Sequence, residues 1–591
     1  MTYRAPVEEI KFALMNEAGF GRLFDQSEYP DLNEDLLDAI LDEAAKLAND
    51  FIAPASWTGD REGCQLTQDG VRVPESFKTA YSHYVSGGWP TLAAVQSHGG
   101  QGLPLSLANA VTEMMNSNIG LQLCAMLSNG GVEALSAHAS PEQKDRYLTK
   151  VISGEWSATM NLTESHAGSD VGSIKAKATP QDDGSYRITG TKIYITYGDH
   201  DMTENIIHLV LARTPNSPDG TKGISLFLVP KFHVHDDGSL GAANDVKCIG
   251  LEDKLGIHAS PTCVMAFGEN DGAVGWLIGA ENKGMACMFT MMNNARLHVG
   301  LQGVGVAETA TQKALGYALD RKQGRSPEAK AGENDAVEII AHPDVRRNLL
   351  TMRALTDASR AICYENGVYA DLAHLGHDKD AKAFNDLLTP ISKAFSTDIA
   401  NEVAAIGVQI HGGMGFIEET GAAQHVRDAR ILTIYEGTNG IQAIDLIGRK
   451  LPLDNGNIVR AYIAQMRETA AQCLAVNEAD YQEMGRQLSA ALDALDDTTE
   501  WILANLKTSN MDCLSGATPY LRQFGLASGG HYLLRGALSV RSEEVTPFVQ
   551  RKKTTAVFYA KNLLPDCGSL VLSIKSGYEP LRDIGLEAFA S

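Results

Sequence analysis

The sequence predicts an α+β protein in which a β-rich middle segment lies between helical segments, and three observations support this. Within residues 33–53, apolar side chains recur at spacings of three and four, as on one helix face; they are Leu37, Ile40, Ala44, Leu47 and Phe51. From about residue 156, short runs rich in Val, Ile, Tyr and Thr alternate with turn formers, which is typical of β-strands. Helical periodicity returns near Met285.

The chain of 591 residues is too long for one hydrophobic core, so several domains are expected. The polar insert at about 323–337 is predicted to be an exposed loop, and 451–457 a linker. We therefore predict an N-terminal helical domain, a β-barrel-like middle domain, a helical bundle and an extra C-terminal helical domain, with bounds at 1–155, 156–284, 285–450 and 458–591.

Composition excludes several kinds of protein. A net charge of -23 argues against a protein that binds nucleic-acid phosphates, so no nucleic-acid partner is expected. The nine cysteines never occur as Cys-x-x-Cys, and no histidine spacing suggests ligands, so neither a disulfide frame nor a metal site is predicted. The N-terminus lacks a basic segment followed by an apolar one, and no stretch of about 18 apolar residues occurs. We expect a cytoplasmic protein without stable membrane insertion.

Three motifs stand in series along the chain: MNLTESHAGSD at 160–170, KIYITYG at 192–198, and QIHGGMGF followed by RDARILTIYEGTNGIQ within 409–442. Glu436 beside Gly437 can present its carboxylate in a tight loop, and burial against a ligand raises a carboxyl pKa toward the working pH. This makes Glu436 a candidate general base. The tetrapeptide YEGT at 435–438 alone is also compatible with an ordinary glutamate in a surface loop.

Together the three motifs resemble the acyl-CoA dehydrogenase family, over about residues 30–455. The resemblance implies FAD as cofactor and an acyl-CoA thioester as substrate, which loses two hydrogens to give a trans-2-enoyl-CoA. Glu436 would take the proton from the carbon alpha to the thioester carbonyl while the beta hydride moves to flavin N5. Its backbone N–H and a ribityl hydroxyl would stabilise the charge that develops on the thioester oxygen.

The resemblance also implies roles for the first two motifs. Met160, Leu162 and Thr163 would contact the flavin ring, and Ser169 would face either the ring or the pantetheine arm of the substrate. Tyr194 and Thr196, one residue apart on a predicted strand, would share a face. Tyr194 would then cover one side of the flavin, and the Thr196 hydroxyl would bond to N5.

Further contacts are implied near the end of the bundle. The guanidinium of Arg321 would pair with the FAD pyrophosphate on a neighbouring subunit, and Thr438 would also hydrogen-bond FAD. The adenosine end would lie at Gln409, Gly412 and Gly413. On the substrate side, the implied contacts are Ser169, Arg296, Tyr435 and Gly437.

The length and the N-terminal YRAPVEEIKFAL resemble a subgroup that includes 3-methylthiopropanoyl-CoA dehydrogenases of dimethylsulfoniopropionate catabolism. The product would then be 3-(methylthio)acryloyl-CoA. Two alternatives stay open: a dehydrogenase of short or medium straight-chain acyl-CoA, and, more remotely, a non-catalytic DNA-binding relative of the same fold. The implied partners are an electron-transferring flavoprotein, with oxygen as the other possible acceptor, and a second copy of the chain in a homodimer.

Overall fold

The computed structural model describes residues 3–330, 335–376 and 378–590, which divide into two compact units. The central unit spans residues 42–298, and the flanking unit combines residues 1–41 with 299–591. Within the described ranges, no helix has the length and apolar character that crossing a bilayer requires.

The N-terminal region is helical, as predicted. The face marked by Leu37, Ala44 and Leu47 is buried, and a π-helical segment at Ala48–Ile52 follows it. Pro104 precedes a buried helix pair in which the side chain of Asn118 caps the second helix. The main helices are α1 (Val7–Phe12), α2 (Glu34–Leu47), α3 (Ala53–Glu62), α4 (Glu75–Ser86), α5 (Leu105–Met115) and α6 (Ile119–His138), and two short helical segments follow at Pro141–Gln143 and Thr149–Ser153.

The central unit contains the predicted β region, built on an eight-stranded sheet. Its strand order is β10-β11-β5-β12-β7-β6-β3, with β4 beside β5, and only the β3–β6 pair among these is parallel. β6 and β7 are buried along their whole length because apolar clusters cover both faces. The strands are β1 (Gln65–Thr67), β2 (Gly70–Arg72), β3 (Trp156–Asn161), β4 (Lys177–Pro180), β5 (Tyr186–Thr196), β6 (Asn205–Ala212), β7 (Ser225–Pro230), β8 (Phe232–Val234), β9 (Leu240–Ala243), β10 (Val246–Leu251), β11 (Thr262–Phe267) and β12 (Ala273–Ile278).

Long helices return after the sheet. Within the flanking unit α7 packs closely on α9: a Cβ at Gly303 would lie 2.6 Å from the carbonyl oxygen of Ser396. The segment at 303–308 (GVGVAE) therefore contributes to the face of α7 that packs on α9. The main helices are α7 (Gly284–Asp320), α8 (Pro343–Leu375), α9 (Ala381–His411), α10 (Ala422–Leu432), α11 (Asn439–Asp445), α12 (Asn457–Ala475), α13 (Ala479–Asn505), α14 (Asn510–Ser515), α15 (Ala517–Ser539), α16 (Pro547–Asn562) and α17 (Asp566–Ile574), and two short helical segments follow at Glu579–Arg582 and Leu586–Ala590.

Two connecting segments, the polar insert at about 323–337 and the stretch at 451–457, contain more regular structure than the predicted loop and linker. The polar insert is exposed but contains paired strands, β13 (Lys322–Arg325) and β14 (Ala336–Glu338), so the prediction of a plain loop was wrong. Gly324, with φ of 70°, lies within β13, where the pairing register against β14 shifts, and residues 331–334 lie outside the described ranges. The stretch at 451–457 is a tight turn with a buried Leu451.

The predicted fold class is confirmed: helices, a β domain, a helical bundle and additional C-terminal helices follow one another. Division into four domains at the stated bounds stays a prediction.

Candidate active site

The loop at residues 433–438 joins α10 to α11 and carries Glu436. The backbone N–H of Asn439 donates to the carbonyl of Thr433 at 3.0 Å and closes the loop. Glu436 has φ of 55° and Gly437 has φ of 85°, so two successive residues are left-handed. This conformation costs a residue with a Cβ on the order of 1–3 kcal/mol, and such strain concentrates at active sites.

Hydrogen bonds hold the backbone on both sides of Glu436. The Tyr435 hydroxyl donates to the carboxamide oxygen of Gln302 on α7, and Gln442 Nε2 donates to the Glu436 carbonyl at 3.3 Å. Burial, assisted by the charge of Glu436, raises the pKa of Tyr435 well above its ordinary value, so the hydroxyl remains a neutral donor. Sequence reasoning missed Gln302 because nothing near it in the chain marks a partner for the loop.

Gly437 and Thr438 shape the rest of the loop. A Cβ at Gly437 would lie 2.8 Å from Gln442 Nε2, the group that holds the Glu436 carbonyl, and the φ of 85° is itself strained for a residue with a Cβ, so the position favours glycine. Thr438 Oγ1 accepts from the N–H of Ile441 at 3.3 Å and caps α11. Thr438 is exposed and its hydroxyl hydrogen can still be donated. The implied substrate contacts of Tyr435 and Gly437 and the FAD contact of Thr438 stay predictions.

The first two motifs lie side by side in the central unit. The N–H of Ile193 donates to the carbonyl of Thr163 at 2.9 Å, which joins the segment after β3 to β5. Thr196 pairs with Thr262 of β11. The structure thus brings together five of the predicted flavin contacts, namely Met160, Leu162, Thr163, Tyr194 and Thr196, whereas Ser169 lies further along an exposed loop.

Tyr194 is exceptional within β5. Its side chain is 60% exposed, and its φ of 59° interrupts the strand where the register against β11 shifts. A β-bulge at this point re-aims side chains, so strand alternation alone does not establish that Tyr194 and Thr196 share a face. An exposed aromatic ring on a strained backbone is a feature of ligand sites.

A buried ion pair fixes the first motif. Lys192, which has no exposed surface, donates to Glu164 Oε1 at 2.9 Å and to the carbonyl of Leu162 at 3.0 Å. Glu164 also accepts from the N–H groups of Lys175 and Ala176. Neither Lys192 nor Glu164 was predicted, although an inward-facing lysine in an apolar strand requires an acidic partner.

The contacts implied for the distant half of FAD gather at one end of the flanking unit's bundle. The rings of Tyr317 and His411 stack with centroids 4.4 Å apart, so the C-terminal ends of α7 and α9 are adjacent. Arg321 follows α7 and is exposed. At the end of α9, the exposed positions are Gln409, Gly412 and Gly413.

The central unit contains an apolar cavity of about 60 Å³ between α4, α5, α6 and α7. Glu133 and His298 line it together with side chains such as Trp89 and Met115. Burial raises the pKa of Glu133 to about 8 despite a hydrogen bond from Asn294, and lowers the pKa of His298 to about 4, so both are neutral at pH 7. Arg296 lies half-buried on α7 two residues before His298, and its substrate contact stays a prediction.

An open cleft of about 1040 Å³ also lies in the central unit, between residues 170–179 and 213–220. The Arg213 guanidinium links the two walls of the cleft by hydrogen bonds, since it donates to the carbonyls of Gly172, Ile174, Pro218 and Gly220. Lys175 and Lys177 line the cleft with exposed side chains. Sequence reasoning did not single out these lysines. In the described ranges, no group of three or more potential metal-ligating side chains occurs.

Sequence models of acyl-CoA dehydrogenase domains match this chain in order. The N-terminal domain matches residues 35–155, the middle domain 159–269 and the C-terminal domain 282–451. A model described as acetyl-CoA dehydrogenase C-terminal like matches residues 462–584. The matches therefore cover most of the chain.

Two curated relatives align with this chain over nearly their whole length. The chain is 44% identical to 3-methylmercaptopropionyl-CoA dehydrogenase of Ruegeria pomeroyi, over 96% of this chain and 97% of the relative. It is 35% identical to a butyryl-CoA dehydrogenase of Syntrophomonas wolfei, over 99% of each. The fold resembles Caenorhabditis elegans ACDH-11 in complex with C11-CoA, with a TM-score of 0.78, 19% identity, and coverage of 99% and 96%. The chain belongs to the acyl-CoA dehydrogenase family of FAD-dependent oxidoreductases.

Proposed function

We propose that this acyl-CoA dehydrogenase oxidises 3-(methylthio)propanoyl-CoA to 3-(methylthio)acryloyl-CoA, a step of dimethylsulfoniopropionate catabolism, with Glu436 as the base. The observation that carries the substrate is the 44% identity to 3-methylmercaptopropionyl-CoA dehydrogenase over 96% of the chain. The strained, doubly anchored loop supports Glu436 as the base.

Glu436 would remove the proton from the carbon alpha to the thioester carbonyl. That proton is a weak acid, so the carboxylate must be held close to the carbon while the charge developing on the thioester oxygen is stabilised. The hydrogen bond from Gln442 to the Glu436 carbonyl and the anchor of Tyr435 restrict the backbone that carries this carboxylate. The proton then resides on Glu436 until product leaves.

The central-unit residues fit a planar cofactor. Thr163 and Thr196 are half-buried, and within the described chain their hydroxyls have no intramolecular hydrogen-bond partner. These two hydroxyls are available to hydrogen-bond the polar edge of a flavin, and the exposed Tyr194 ring beside them can stack on its face. When bound, FAD accepts the hydride from the beta carbon. Arg321, Gln409, Gly412, Gly413 and Thr438 are the proposed contacts to the rest of FAD.

We assign the phosphates of coenzyme A to the cleft beside Lys175 and Lys177. Against a net charge of -23 for the chain, the two exposed lysines and Arg213 outnumber the two aspartates that also line the cleft, so the local charge favours an anion. The substitution Lys177→Ala should raise KM for the acyl-CoA several-fold, and more at low salt, with little change in kcat. Lys247→Ala removes an exposed lysine from β10 and is the matched control.

We assign the end of the acyl chain to the apolar cavity lined by Glu133. Its volume of about 60 Å³ supports a short chain. A neutral carboxyl among apolar side chains can donate a hydrogen bond to a weak acceptor such as a thioether sulfur.

A second substrate class is supported by a separate observation. The butyryl-CoA dehydrogenase relative aligns over 99% of this chain, and a short straight acyl chain also fits an apolar cavity. An electron-transferring flavoprotein as the acceptor and a homodimeric assembly complete the proposal. Light scattering tests the dimer, and reduction of a purified electron-transferring flavoprotein under nitrogen tests the acceptor.

The substrate experiment compares 3-methylthiopropanoyl-CoA with butanoyl-CoA and hexanoyl-CoA, using an artificial electron acceptor. We expect the highest kcat/KM for the sulfur substrate. A higher value for either straight-chain substrate would assign the enzyme to the second class.

The base is tested by Glu436→Gln, which keeps the shape but cannot accept a proton. We expect unchanged FAD content and a loss of kcat of at least 1,000-fold, in the range removed with an essential base. Glu419→Gln, a change at an exposed glutamate outside the loop, serves as the control. Near-full activity of Glu436→Gln would show that the base lies elsewhere.

A further inference from the structure

Asn439 ties the loop of Glu436 to α9 through a dense set of hydrogen bonds. Its Oδ1 accepts from Lys393 Nζ at 2.8 Å. Its Nδ2 lies within donating distance of Asp398 Oδ1 at 2.8 Å, Thr397 Oγ1 at 3.0 Å and the Ala394 carbonyl at 3.2 Å. One carboxamide, three residues after Glu436, is therefore fixed in orientation by four groups of a single long helix.

The charges around Asn439 make this contact specific. Lys393 has no exposed surface, and a buried ammonium group requires good acceptors. Burial raises the pKa of Asp398, although the hydrogen bond from Asn439 and the charges of Arg522 and Lys393 oppose the rise. The carboxamide points its oxygen at the cation and its nitrogen at the carboxyl group, which is the favourable orientation for both.

Glu436 needs such an anchor because its backbone is strained. A left-handed residue with a Cβ persists only where the surroundings hold it. Before Glu436, Tyr435 is bound to Gln302 of α7. After it, Asn439 is bound to α9 by its side chain and to Thr433 by its backbone. The loop is thus held at both ends by helices of the flanking unit.

We propose that Lys393 and Asn439 are positioning residues that hold the Glu436 carboxylate in place for proton abstraction. The inference rests on the proposed role of Glu436 as the base. Catalytic groups must be held within about 0.5 Å of the productive geometry, and a misplacement of about 1 Å can cost roughly 100-fold in rate. Loss of either side chain would relax the loop toward an unstrained backbone and move the carboxylate.

The test uses the FAD-loaded enzyme and the variants Asn439→Ala and Lys393→Met. We expect kcat to fall about 10- to 100-fold, with KM and FAD content within about twofold of the wild type. The kinetic isotope effect for substrate deuterated at the alpha carbon should rise, because proton removal becomes slower than the other steps. Hydrogen exchange in the peptide covering 433–440 should become faster, and this readout does not depend on activity.

Asn401→Ala is the matched control. Asn401 lies on the same helix and donates to the carbonyls of Thr397 and Ala429, at 2.8 and 3.0 Å, so it ties α9 to α10 without a hydrogen bond to residues 435–439 of the described chain. We expect its kcat and isotope effect to match the wild type. Equal losses in Asn401→Ala and Asn439→Ala would overturn the inference, because they would indicate general loosening of the bundle.

Asn439 is half-buried, so we expect Asn439→Ala to fold. This variant therefore tests the positioning role even where Lys393→Met fails to fold. Wild-type kcat, isotope effect and exchange in Asn439→Ala would refute the positioning role. Glu436→Gln separates this failure from failure of the proposed base: an inactive Glu436→Gln beside a fully active Asn439→Ala removes only the positioning inference. An active Glu436→Gln removes the base itself.

Discussion

The ammonium group of Lys552 lies 3.0 Å from the Glu9 carboxylate, and the two side chains are only 4% and 7% exposed. The pair joins α1 to α16, so it connects residues near the two termini within the flanking unit. Glu17 and Asp357 also lie within 3.4 Å of Lys552 Nζ. Lys552 is thus the shared cation of three buried carboxyl groups.

Replacing that cation should be costly. Lys552→Met leaves buried carboxyl groups without their shared partner, and we expect a loss of about 3–5 kcal/mol in the free energy of unfolding. Urea unfolding followed by circular dichroism measures this loss. Lys553→Met, which alters the more exposed neighbour, should change stability by under about 1 kcal/mol. Equal effects of the two substitutions would contradict a special role for the buried ammonium.

Glu17 should make stability depend on pH. Burial, the largest influence, raises its pKa from 4.5 to about 7, although Lys552 opposes the rise. Between these pH values the folded chain holds a proton that the unfolded chain releases, so stability falls as pH rises from about 4.5 to 7. The fall amounts to about 3 kcal/mol at most. Glu17→Gln should remove it, so the thermal midpoint of this variant relative to the wild type should be higher at pH 8 than at pH 5.

Glu9 does not obscure this measurement. Burial would raise its pKa, but the charges of Lys552, Arg353, Arg551 and Arg360 lower it to about 2. Its stabilisation is therefore present above pH 4.5 and is lost only as pH falls toward 2. Parallel curves for Glu17→Gln and the wild type between pH 5 and 8 would argue against a raised pKa at Glu17.

The Lys192–Glu164 pair should link stability of the central unit to cofactor retention. Lys192→Met leaves the buried Glu164 carboxylate without its ammonium partner, with two backbone donors and the His166 imidazole at 3.6 Å, and we expect a loss of about 3 kcal/mol. Since the same pair fixes the carbonyl of Leu162, FAD should also be lost more readily during gel filtration. Lys247→Met is the surface control. Full FAD content together with wild-type stability in Lys192→Met would contradict this account.

Tyr194 should show opposed effects on stability and binding. Tyr194→Gly removes a strained φ of 59° and little buried surface, so the apoprotein should gain about 1 kcal/mol. The same change removes the proposed stacking surface, so FAD affinity should fall. Tyr194→Phe keeps both the ring and the strain, and should resemble the wild type in differential scanning calorimetry and in flavin titration. A destabilised Tyr194→Gly apoprotein would mean that the ring contributes to packing.

Regular periodicity allowed much of the fold to be predicted. The spacing of Leu37, Ala44 and Leu47 predicted α2 correctly, because burial of one face governs a helix of this length. The π-helical turn at Ala48–Ile52 has no counterpart in an apolar pattern. Similarly, the paired strands around Gly324 lie among polar residues, where periodicity carries no information.

The candidate site was only partly predictable. Motifs identified Glu436 and Tyr194, whose backbone strain is visible only in three dimensions. Gln302, Lys393 and Glu164 act through partners far away in sequence, at separations of 133, 46 and 28 residues. A single sequence can indicate that a buried lysine needs an acidic partner, but it does not identify which distant residue that partner is.

The left-handed backbone at Glu436 also bears on directed evolution of this enzyme. Glycine adopts φ of 55° at almost no cost, so in a library screened for heat resistance alone, Glu436→Gly would be favoured at this position. Such a screen would enrich variants that resist heat better but have lost the proposed base. Variants of this enzyme should therefore be selected for turnover and thermal resistance together.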